Sequence, residues 1–395
     1  MSPGLTKVPL PGLRDLLAPP APIRTPFRPG YRTAYTMNGR NAIHLGLSAL
    51  GIRPGAVVLL PAFHCTALVD PVMAYGARPA YYPVRRDLTL DLASIEAALV
   101  RTGASALLCV HFFGWPAPVR ELRALCDRHG ASLIEDATHG LFGEVEGRPY
   151  GCFGDVAVFS FRKTLPVQDG GALVVRAARA AFPRPRRFFP APYQLRMLKW
   201  TLDASRAGPF RPQPVSPAAR ASEPPPPGAD RARTRGSGAR SPAGIRGPDS
   251  QEDPAFVPEC LLFPMSLASR LILGSASAGA VVAARRRNYA FLSRRLAGVA
   301  GLEPCFRDLP EGVCPMGFPC LAGDGGPRWD YRLRGHGVPA FSFGEELHAT
   351  LDLSGFPDAR ELSERLVILP VHQGLSEADL ERMAALVIGA FGAAG

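Results

Sequence analysis

The sequence has almost no lysine. Its 395 residues include 45 basic side chains, and the only lysines among them are Lys7, Lys163 and Lys199. A guanidinium stays protonated at any working pH, so arginine is excluded as an imine-forming nucleophile, whereas a desolvated lysine can lose its proton and attack an aldehyde. Lys163 lies in an enzyme-like setting just before a Gly-Gly turn. This favours a functional amine at Lys163, and an ordinary surface lysine is the alternative.

Long apolar runs and paired metal-ligand motifs are also missing. The longest apolar run, residues 271–284, is too short and too rich in small residues to span a bilayer, and prolines interrupt the N-terminal segment. The eight cysteines form no CxxC pair, and the spacing of Cys305, Cys314 and Cys320 fits no common zinc site. We expect no metal, no membrane segment and a reducing, cytoplasmic location.

The charge is strongly one-sided, with a formal net value of +11. Such a balance can indicate binding to nucleic acid or to a membrane surface. The basic residues are dispersed, however, and no aromatic–basic motif of a nucleic-acid module is present. We interpret the charge as solvated surface that helps to attract phosphate-bearing ligands, and we expect no nucleic-acid partner.

Apolar strands alternate with amphipathic helices over residues 36–208. The predicted strands are 56–60, 107–111, 132–135, 156–161 and 172–175, and the predicted helices are 41–50 and 119–129. Near-continuous apolar strands between amphipathic helices are typical of a mainly parallel sheet covered on both faces. We therefore predict a large α/β domain here.

The remaining segments differ in composition. Residues 1–35 are a proline-rich lead-in, and residues 209–255 have almost no large apolar side chains, which predicts a disordered or mobile insertion. From residue 256 onward we expect a long helix over 266–295, with a break at Gly274, and then a smaller α+β unit. That unit contains a predicted strand at 366–370 and a closing helix at 376–388.

Asp136 and His139 follow an apolar strand, where ligands bind in open α/β sheets. A carboxylate there can pair with a protonated ring nitrogen, as in pyridoxal phosphate enzymes, where that charge makes the ring an electron sink. The alternative for Asp136 is a helix cap. His139 could stack on or hydrogen-bond a planar cofactor, or act as a structural hydrogen-bonding group.

A glycine turn at residues 38–41 precedes the first helix and could present backbone N–H groups to a phosphate. Ser160 could donate to the same phosphate or be structural. Gly170 and Gly171 allow the tight turn after Lys163 because glycine tolerates positive φ. Lys199 is the rival amine, but it lies in an apolar helix-like stretch and is expected to reach the surface.

In chain order, several segments together resemble the DegT/StrS-type aminotransferases. They are NGRNAIHLGLSALGIRPGAVVLLPAF, GARPAYYPV, VHFFGWP, IEDATHG and GCFGDVAVFSF…K…GGALVV. The family consists of fold-type I pyridoxal phosphate enzymes that mostly aminate nucleotide-linked keto sugars. The match covers residues 36–175 and continues more loosely from 260 to the end. It implies an α/β fold with a mainly parallel, seven-stranded-type sheet between helices, plus a smaller C-terminal α+β domain.

The resemblance also implies roles for individual residues. Lys163 would carry the imine to pyridoxal 5'-phosphate, Asp136 would face the pyridinium nitrogen, and His139 would lie beside the ring. The phosphate would be held by Ser160, Gly39, Arg40 and Asn41. The ring-stacking position falls at Cys65, with Phe63 or His64 as a substitute. A homodimer, an amino-acid donor such as glutamate and a keto-sugar acceptor follow from the same resemblance.

The chain departs from the family pattern at several points. The interval from Ser160 to Lys163 is three residues where the family usually has five, which we interpret as a two-residue deletion. Arg40 and Asn41 replace small hydroxyl residues, and the partner-subunit asparagine of the family is not evident. These departures motivate one alternative, a non-catalytic or regulatory protein of a polysaccharide pathway. A sugar dehydratase is another, although related dehydratases have histidine in place of the lysine.

Overall fold

A computed structural model describes residues 30–176, 190–206, 258–323 and 328–392, together with positions 7, 9 and 182. The insertion predicted at 209–255 lies outside the described residues, as does most of the predicted lead-in. The large domain begins earlier than the predicted boundary at residue 36, because Tyr31–Thr36 already forms a strand.

The first half of the chain alternates strands with helices. The strands are β1 (Tyr31–Thr36), β2 (Val57–Pro61), β3 (Arg78–Tyr82), β4 (Ala106–Val110), β5 (Ser132–Asp136), β6 (Glu144–Val145), β7 (Arg148–Pro149), β8 (Val156–Ser160) and β9 (Gly171–Arg176). The helices are α1 (Gly39–Ala49), α2 (Thr66–Ala74), α3 (Leu92–Thr102), α4 (Val119–His129) and α5 (Ala191–Arg206). The predicted helix over 119–129 is confirmed at both ends. The helix predicted at 41–50 and the five predicted strands are also present and differ from the prediction only at their ends.

Seven of these strands form one sheet, in the order β1-β9-β8-β5-β4-β2-β3. The five strands from β8 to β3 pair in parallel, and β9 is antiparallel to both of its neighbours. Every residue of β4 is buried, as expected for a strand covered on both faces. The predicted mainly parallel sheet is confirmed. Its parallel arrangement brings the carboxyl ends of β5 and β8 to one edge.

The second half forms a smaller α+β unit. Its elements are α6 (Leu267–Ser275), α7 (Ala278–Arg295), β10 (Leu302–Pro304), β11 (Gly317–Ala322), α8 (Trp329–Gly335), α9 (Pro357–Arg365), β12 (Leu366–Pro370) and α10 (Glu377–Gly392). The strands make an antiparallel sheet in the order β10-β11-β12. The predicted strand at 366–370 is confirmed, and the closing helix runs slightly longer than predicted.

The single long helix predicted for residues 266–295 is instead two helices, α6 and α7, that meet at 78°. The break is not at Gly274. It lies at Ala276 and Ser277, which have extended backbone conformations, and the Ser277 side chain accepts the Ala280 N–H as the cap of α7. Over the described ranges no single helix has the length and apolar character to cross a membrane; only this bent pair, taken together, meets both criteria.

Gly114 shows how closely the two halves approach each other. It has φ +98°, and a Cβ there would clash with the Cys314 carbonyl oxygen.

We predict that Gly114→Ala lowers the free energy of unfolding by about 3 kcal/mol or more, since the backbone strain and the overlap with the Cys314 carbonyl add. Gly130→Ala is the control: φ is +66° and the space is open, so only about 1 kcal/mol should be lost. Urea unfolding measures both, and equal losses would contradict the close approach.

Candidate active site

Lys163 lies in the loop that joins β8 to β9. Its Nζ donates to Oγ1 of Thr138 at 3.3 Å and lies 5.9 Å from the centroid of the Phe343 ring. Thr138 comes two residues after the end of β5 and is buried. The lysine loop and the carboxyl end of β5 therefore meet at this hydrogen bond.

Asp136 is the last residue of β5 and is 5 % exposed. Its Oδ1 accepts the backbone N–H of Thr138 at 2.9 Å. Thr138 thus bonds Asp136 through its backbone and Lys163 through its side chain, which places the predicted amine and carboxylate at one site. The stretch from Asp136 to β6 contains no helix, so the helix-cap alternative for Asp136 does not apply.

His139 is buried between aromatic rings at the same site. Its ring stacks on Phe113 at 5.4 Å and meets Phe343 edge-on at 4.8 Å. Nδ1 accepts the Phe113 N–H at 3.2 Å, which leaves the proton on Nε2. Burial lowers the pKa of His139 well below its usual 6.5, and the nearby Lys163 charge lowers it further. His139 is therefore a neutral imidazole with an Nε2–H donor beside Lys163.

The backbone at Phe113 is unusual. Its φ of 54° lies in the left-handed region, which costs free energy for a residue with a bulky side chain. The Met316 N–H donates to the Phe113 carbonyl at 2.8 Å and so holds this conformation from the C-terminal unit. The same conformation directs the Phe113 N–H to His139.

The predicted phosphate turn lies at the start of α1. Asn38 caps the helix by accepting the Asn41 N–H at 3.0 Å. A Cβ on Gly39 would lie 3.3 Å from Cγ2 of Thr138 and 3.9 Å from Cβ of Ser160. The helix N-terminus and two hydroxyl residues therefore converge, an arrangement that suits an anion.

Asn41 and Arg40 point to partners of their own. The Asn41 side-chain amide donates to the Cys260 carbonyl at 2.8 Å, so Asn41 supports the turn by attaching α1 to the segment at Cys260. Burial raises the pKa of Asp70 on α2, and the charge of Arg40 offsets part of that rise. The Arg40 guanidinium accordingly lies near Asp70.

The predicted ring-stacking residues occupy different environments. Phe63 is fully buried and packs on Phe112 and Phe343, with centroids 5.7 and 5.4 Å away. Cys65 is partly exposed at the start of α2. The ring of His64 is stacked on Tyr81 at 5.2 Å. Phe63 thus contacts Phe343, which also contacts His139. His64 stacks on Tyr81 instead.

The rival amine, Lys199, lies on the surface of α5. Its side chain is 75 % exposed and pairs with Asp203 at 3.8 Å. Of the two lysines that the sequence left in competition, Lys163 is the one placed at the carboxyl edge of the sheet.

The far end of the lysine loop is fixed by Asp169. This buried carboxylate accepts the Ser266 N–H at 2.7 Å, the Ser266 hydroxyl at 2.6 Å and the Ser269 hydroxyl at 2.5 Å. Gly170 follows with φ +122°, and a Cβ there would lie 2.7 Å from Met265 Cε. The glycine is therefore required by both conformation and space, as the Gly-Gly turn predicted.

Sequence reasoning missed several residues of this site. Thr138 lies inside the IEDATHG segment but carried no separate signal, because one threonine between two noted residues looks like part of a turn. Glu135, in the same segment, is buried and accepts N–H groups from Gly151, Phe153 and Gly154. Phe343 comes from a distant loop, and nothing in its local sequence indicates a position over Lys163.

Residues 31–181 match the model of the DegT/DnrJ/EryC1/StrS aminotransferase family. Over 140 residues the chain is 36% identical to GDP-perosamine synthase of Vibrio cholerae. Over 144 residues it is 37% identical to UDP-N-acetyl-3-dehydro-alpha-D-glucosamine 3-aminotransferase of Acidithiobacillus ferrooxidans. Each alignment covers 35% of this chain and 38% of the relative, so the chain matches less than half the length of these curated relatives. The relationship to this family is confirmed over residues 31–181.

The fold extends further than the sequence similarity. A DegT DnrJ EryC1 StrS aminotransferase from Brucella abortus superposes with a TM-score of 0.63 at 20% identity, covering 91% of this chain and 86% of that one. At this identity the comparison establishes the fold alone. The predicted fold-type I architecture is thereby confirmed.

His64 generates a pH prediction. Burial lowers its pKa from 6.5 to about 4, with a smaller contribution from the nearby His348 charge. Between these values the unfolded chain binds a proton that the folded chain does not, so stability is complete above pH 6.5 and falls as the pH drops towards 4. We expect His64 alone to contribute about 3 kcal/mol to this fall.

The measurement is urea unfolding at a series of pH values. His64→Gln should flatten the plot of the free energy of unfolding against pH between pH 6.5 and 4. The part of the pH dependence that is due to the buried His139 should remain. The exposed His336→Gln variant is the control and should keep the wild-type slope. An unchanged slope in His64→Gln would show that folding does not lower the pKa of His64.

Proposed function

We propose that this chain, whose residues 31–181 match the DegT/DnrJ/EryC1/StrS aminotransferase family, is a pyridoxal phosphate-dependent aminotransferase. It would transfer an amino group from an amino acid, with glutamate as the expected donor, to a keto sugar. The observation that carries the proposal is the placement of Lys163 and Asp136 on the two sides of Thr138, at the carboxyl edge of the sheet.

The residues at this edge fit the cofactor. Lys163 supplies an amine for its aldehyde and Asp136 a carboxylate for its ring nitrogen. Gly39, Thr138 and Ser160 converge at the N-terminus of α1, where a phosphate would be held. His139 lies near Lys163 and has an Nε2–H available as a donor. When bound, the cofactor supplies an electron sink that makes a hydrogen on the substrate carbon acidic.

The side chains of the protein would then have separate roles in the reaction. Nζ of Lys163 would act as the general base that takes the proton from the substrate carbon and delivers it to the cofactor carbon, for which it must lie within hydrogen-bonding reach of both carbons. Thr138 orients the amine by accepting its hydrogen bond. The negative charge of Asp136 keeps a proton on the ring nitrogen. The aromatic rings of Phe343 and Phe113 exclude water around His139.

The names of the relatives guide the choice of substrate. A GDP-perosamine synthase and a UDP-linked 3-aminotransferase both suggest a nucleotide-linked keto sugar, and we propose the same class here, in polysaccharide or secondary-metabolite sugar biosynthesis. The surplus of arginine would attract the diphosphate of such a substrate. The presence of Lys163 at the site favours amino transfer over the dehydratase alternative.

We also propose that the protein is a homodimer. Leu195 and Leu198 on α5 are 68% and 43% exposed, and Leu267 at the start of α6 is 61% exposed. Gln194 accepts the Leu267 N–H at 3.0 Å, which brings these leucines onto one surface. An exposed apolar surface of this kind favours a protein partner, and a second copy would cover it beside the helix that holds Asp169.

The function is tested at Lys163. With added pyridoxal phosphate, the wild-type protein should form an imine that borohydride fixes on the Lys163 peptide. Lys163→Ala should lose that adduct and should transfer amino groups from glutamate to nucleotide keto sugars at least about 10³-fold more slowly, because it lacks both nucleophile and base.

Lys199→Ala is the matched control, since it removes an exposed amine and should keep both the adduct and the rate. A Lys163→Ala protein that still forms the adduct and turns over would overturn the assignment. A folded wild-type protein that binds no pyridoxal phosphate would favour the non-catalytic, regulatory alternative.

The homodimer is tested on the same surface by Leu195→Glu combined with Leu198→Glu. Charges on an apolar interface oppose association, so light scattering should show the mass of a monomer where the wild type shows a dimer. Leu267→Ala should weaken association less. A wild-type protein that stays monomeric at micromolar concentration would contradict this part of the proposal.

A further inference from the structure

Arg285 on α7 is a buried guanidinium, only 1% exposed. In the part of the chain that the structure describes, no carboxylate lies within salt-bridge distance of it. Burial lowers the pKa of Arg285 to about 10, so it is still charged at neutral pH. A buried charge without a counter-ion is costly, and its surroundings must compensate by hydrogen bonding.

The compensation comes from neutral oxygens. Nη1 donates to the carbonyls of Pro315 and Met316, both at 3.0 Å. Nη2 donates to the carbonyl of Thr164 at 3.0 Å and reaches that of Lys163 at 3.5 Å. Nε donates to Oε1 of Gln373 at 3.1 Å. The planar fork of arginine can serve acceptors in three directions at once, which an ammonium on a flexible stem cannot do in the same geometry.

Two of these acceptors belong to the lysine loop itself. Gln373 reinforces the contact, because its Nε2 donates to the Thr164 carbonyl at 3.0 Å while its Oε1 accepts from Arg285. Arg285, Gln373 and Thr164 therefore form a closed hydrogen-bonded triangle directly after Lys163. With Asp169 held by Ser266 and Ser269, the loop is fixed on both sides of its turn.

A further acceptor, the carbonyl of Met316, leads to His139. Met316, whose carbonyl accepts from Arg285, donates its own N–H to the Phe113 carbonyl at 2.8 Å. Phe113 in turn donates to His139. One guanidinium thus connects the backbone of Lys163 with the backbone that supports His139, and it does so from the C-terminal unit.

We infer that Arg285, together with Gln373, is the positioning residue for Lys163: it fixes the carbonyls at residues 163 and 164 and so directs the amine towards Thr138 and Asp136. This inference rests on the proposed function only in taking the amine of Lys163 as the reacting group. The contacts themselves do not require the cofactor. The hydrogen bonds described for Arg285 end on protein oxygens, two of them in the lysine loop, so its effect would pass through that loop.

The test uses the scarcity of lysine. Acetic anhydride labels exposed and buried amines at different rates. The full-length protein is labelled without cofactor, and mass spectrometry gives the ratio of labelling at Lys163 to labelling at Lys199. The exposed Lys199 is the internal reference. Arg285→Lys keeps a positive charge but loses the fork, and it should change this ratio by about tenfold as the loop loosens, since small displacements of a reactive group have large effects.

The matched control is Arg286→Lys. Arg286 is the next residue on α7 and also donates to backbone carbonyls, those of Leu309, Pro310 and Val313, but to none in the lysine loop. It should keep the wild-type ratio. Gln373→Met is the second variant: it removes the bond to Thr164 without placing a new charge, and it should shift the ratio in the same direction as Arg285→Lys. Circular dichroism confirms that each variant is folded.

A second readout is the amount of pyridoxal phosphate that borohydride fixes at Lys163, which should fall about tenfold in Arg285→Lys at a subsaturating concentration. Unchanged ratio and trapping in folded Arg285→Lys and Gln373→Met would overturn the inference while leaving the proposed function intact. If the wild type traps nothing, the proposed function fails, and the labelling ratio still decides whether Arg285 positions Lys163.

Discussion

The hydrogen bond from Lys163 to Thr138 is the interaction on which the site depends. It joins a loop that leaves β8 to the turn that leaves β5, two strands that are neighbours in the sheet. The pairing of β5 with β8 holds the two turns close, and Arg285 and Gln373 hold the backbone of the lysine loop. Thr138 adds the direct link, because it uses its backbone N–H for Asp136 and its side chain for Lys163.

Around this bond the protein places several buried charged groups that are held by hydrogen bonds. Glu135 is buried, which alone would raise its pKa, but His111 and the backbone N–H groups of Gly154 and Gly151 outweigh burial and lower it. Asp169 is held by two serines and Arg285 by carbonyls. An unpaired buried charge would destabilise the fold by several kcal/mol. These groups therefore make the carboxyl edge rigid, and rigidity is what a site with a defined amine direction requires.

Local sequence predicted the elements whose signals are local. The apolar run of β4 and the periodicity of α4 could be recognised because a strand buried on both faces and an amphipathic helix leave distinct patterns. The break between α6 and α7 was misplaced, because glycine is the usual helix breaker and the capping by Ser277 depends on where its hydroxyl points. A sequence pattern of small residues cannot show where that hydroxyl points.

The sequence alone determined that an amine had to come from Lys163 or a rival lysine, that Asp136 ends a buried strand, and that the chain resembles one family. These conclusions rest on residue types and spacing. Only the tertiary structure decided that Thr138 joins Lys163 to Asp136 and that Phe343, Arg285 and Gln373 come to the site. The reason is physical: the pairing of β5 with β8 brings Thr138 to Lys163, and the other three residues lie far away along the chain and reach the site only when the C-terminal unit packs onto the sheet.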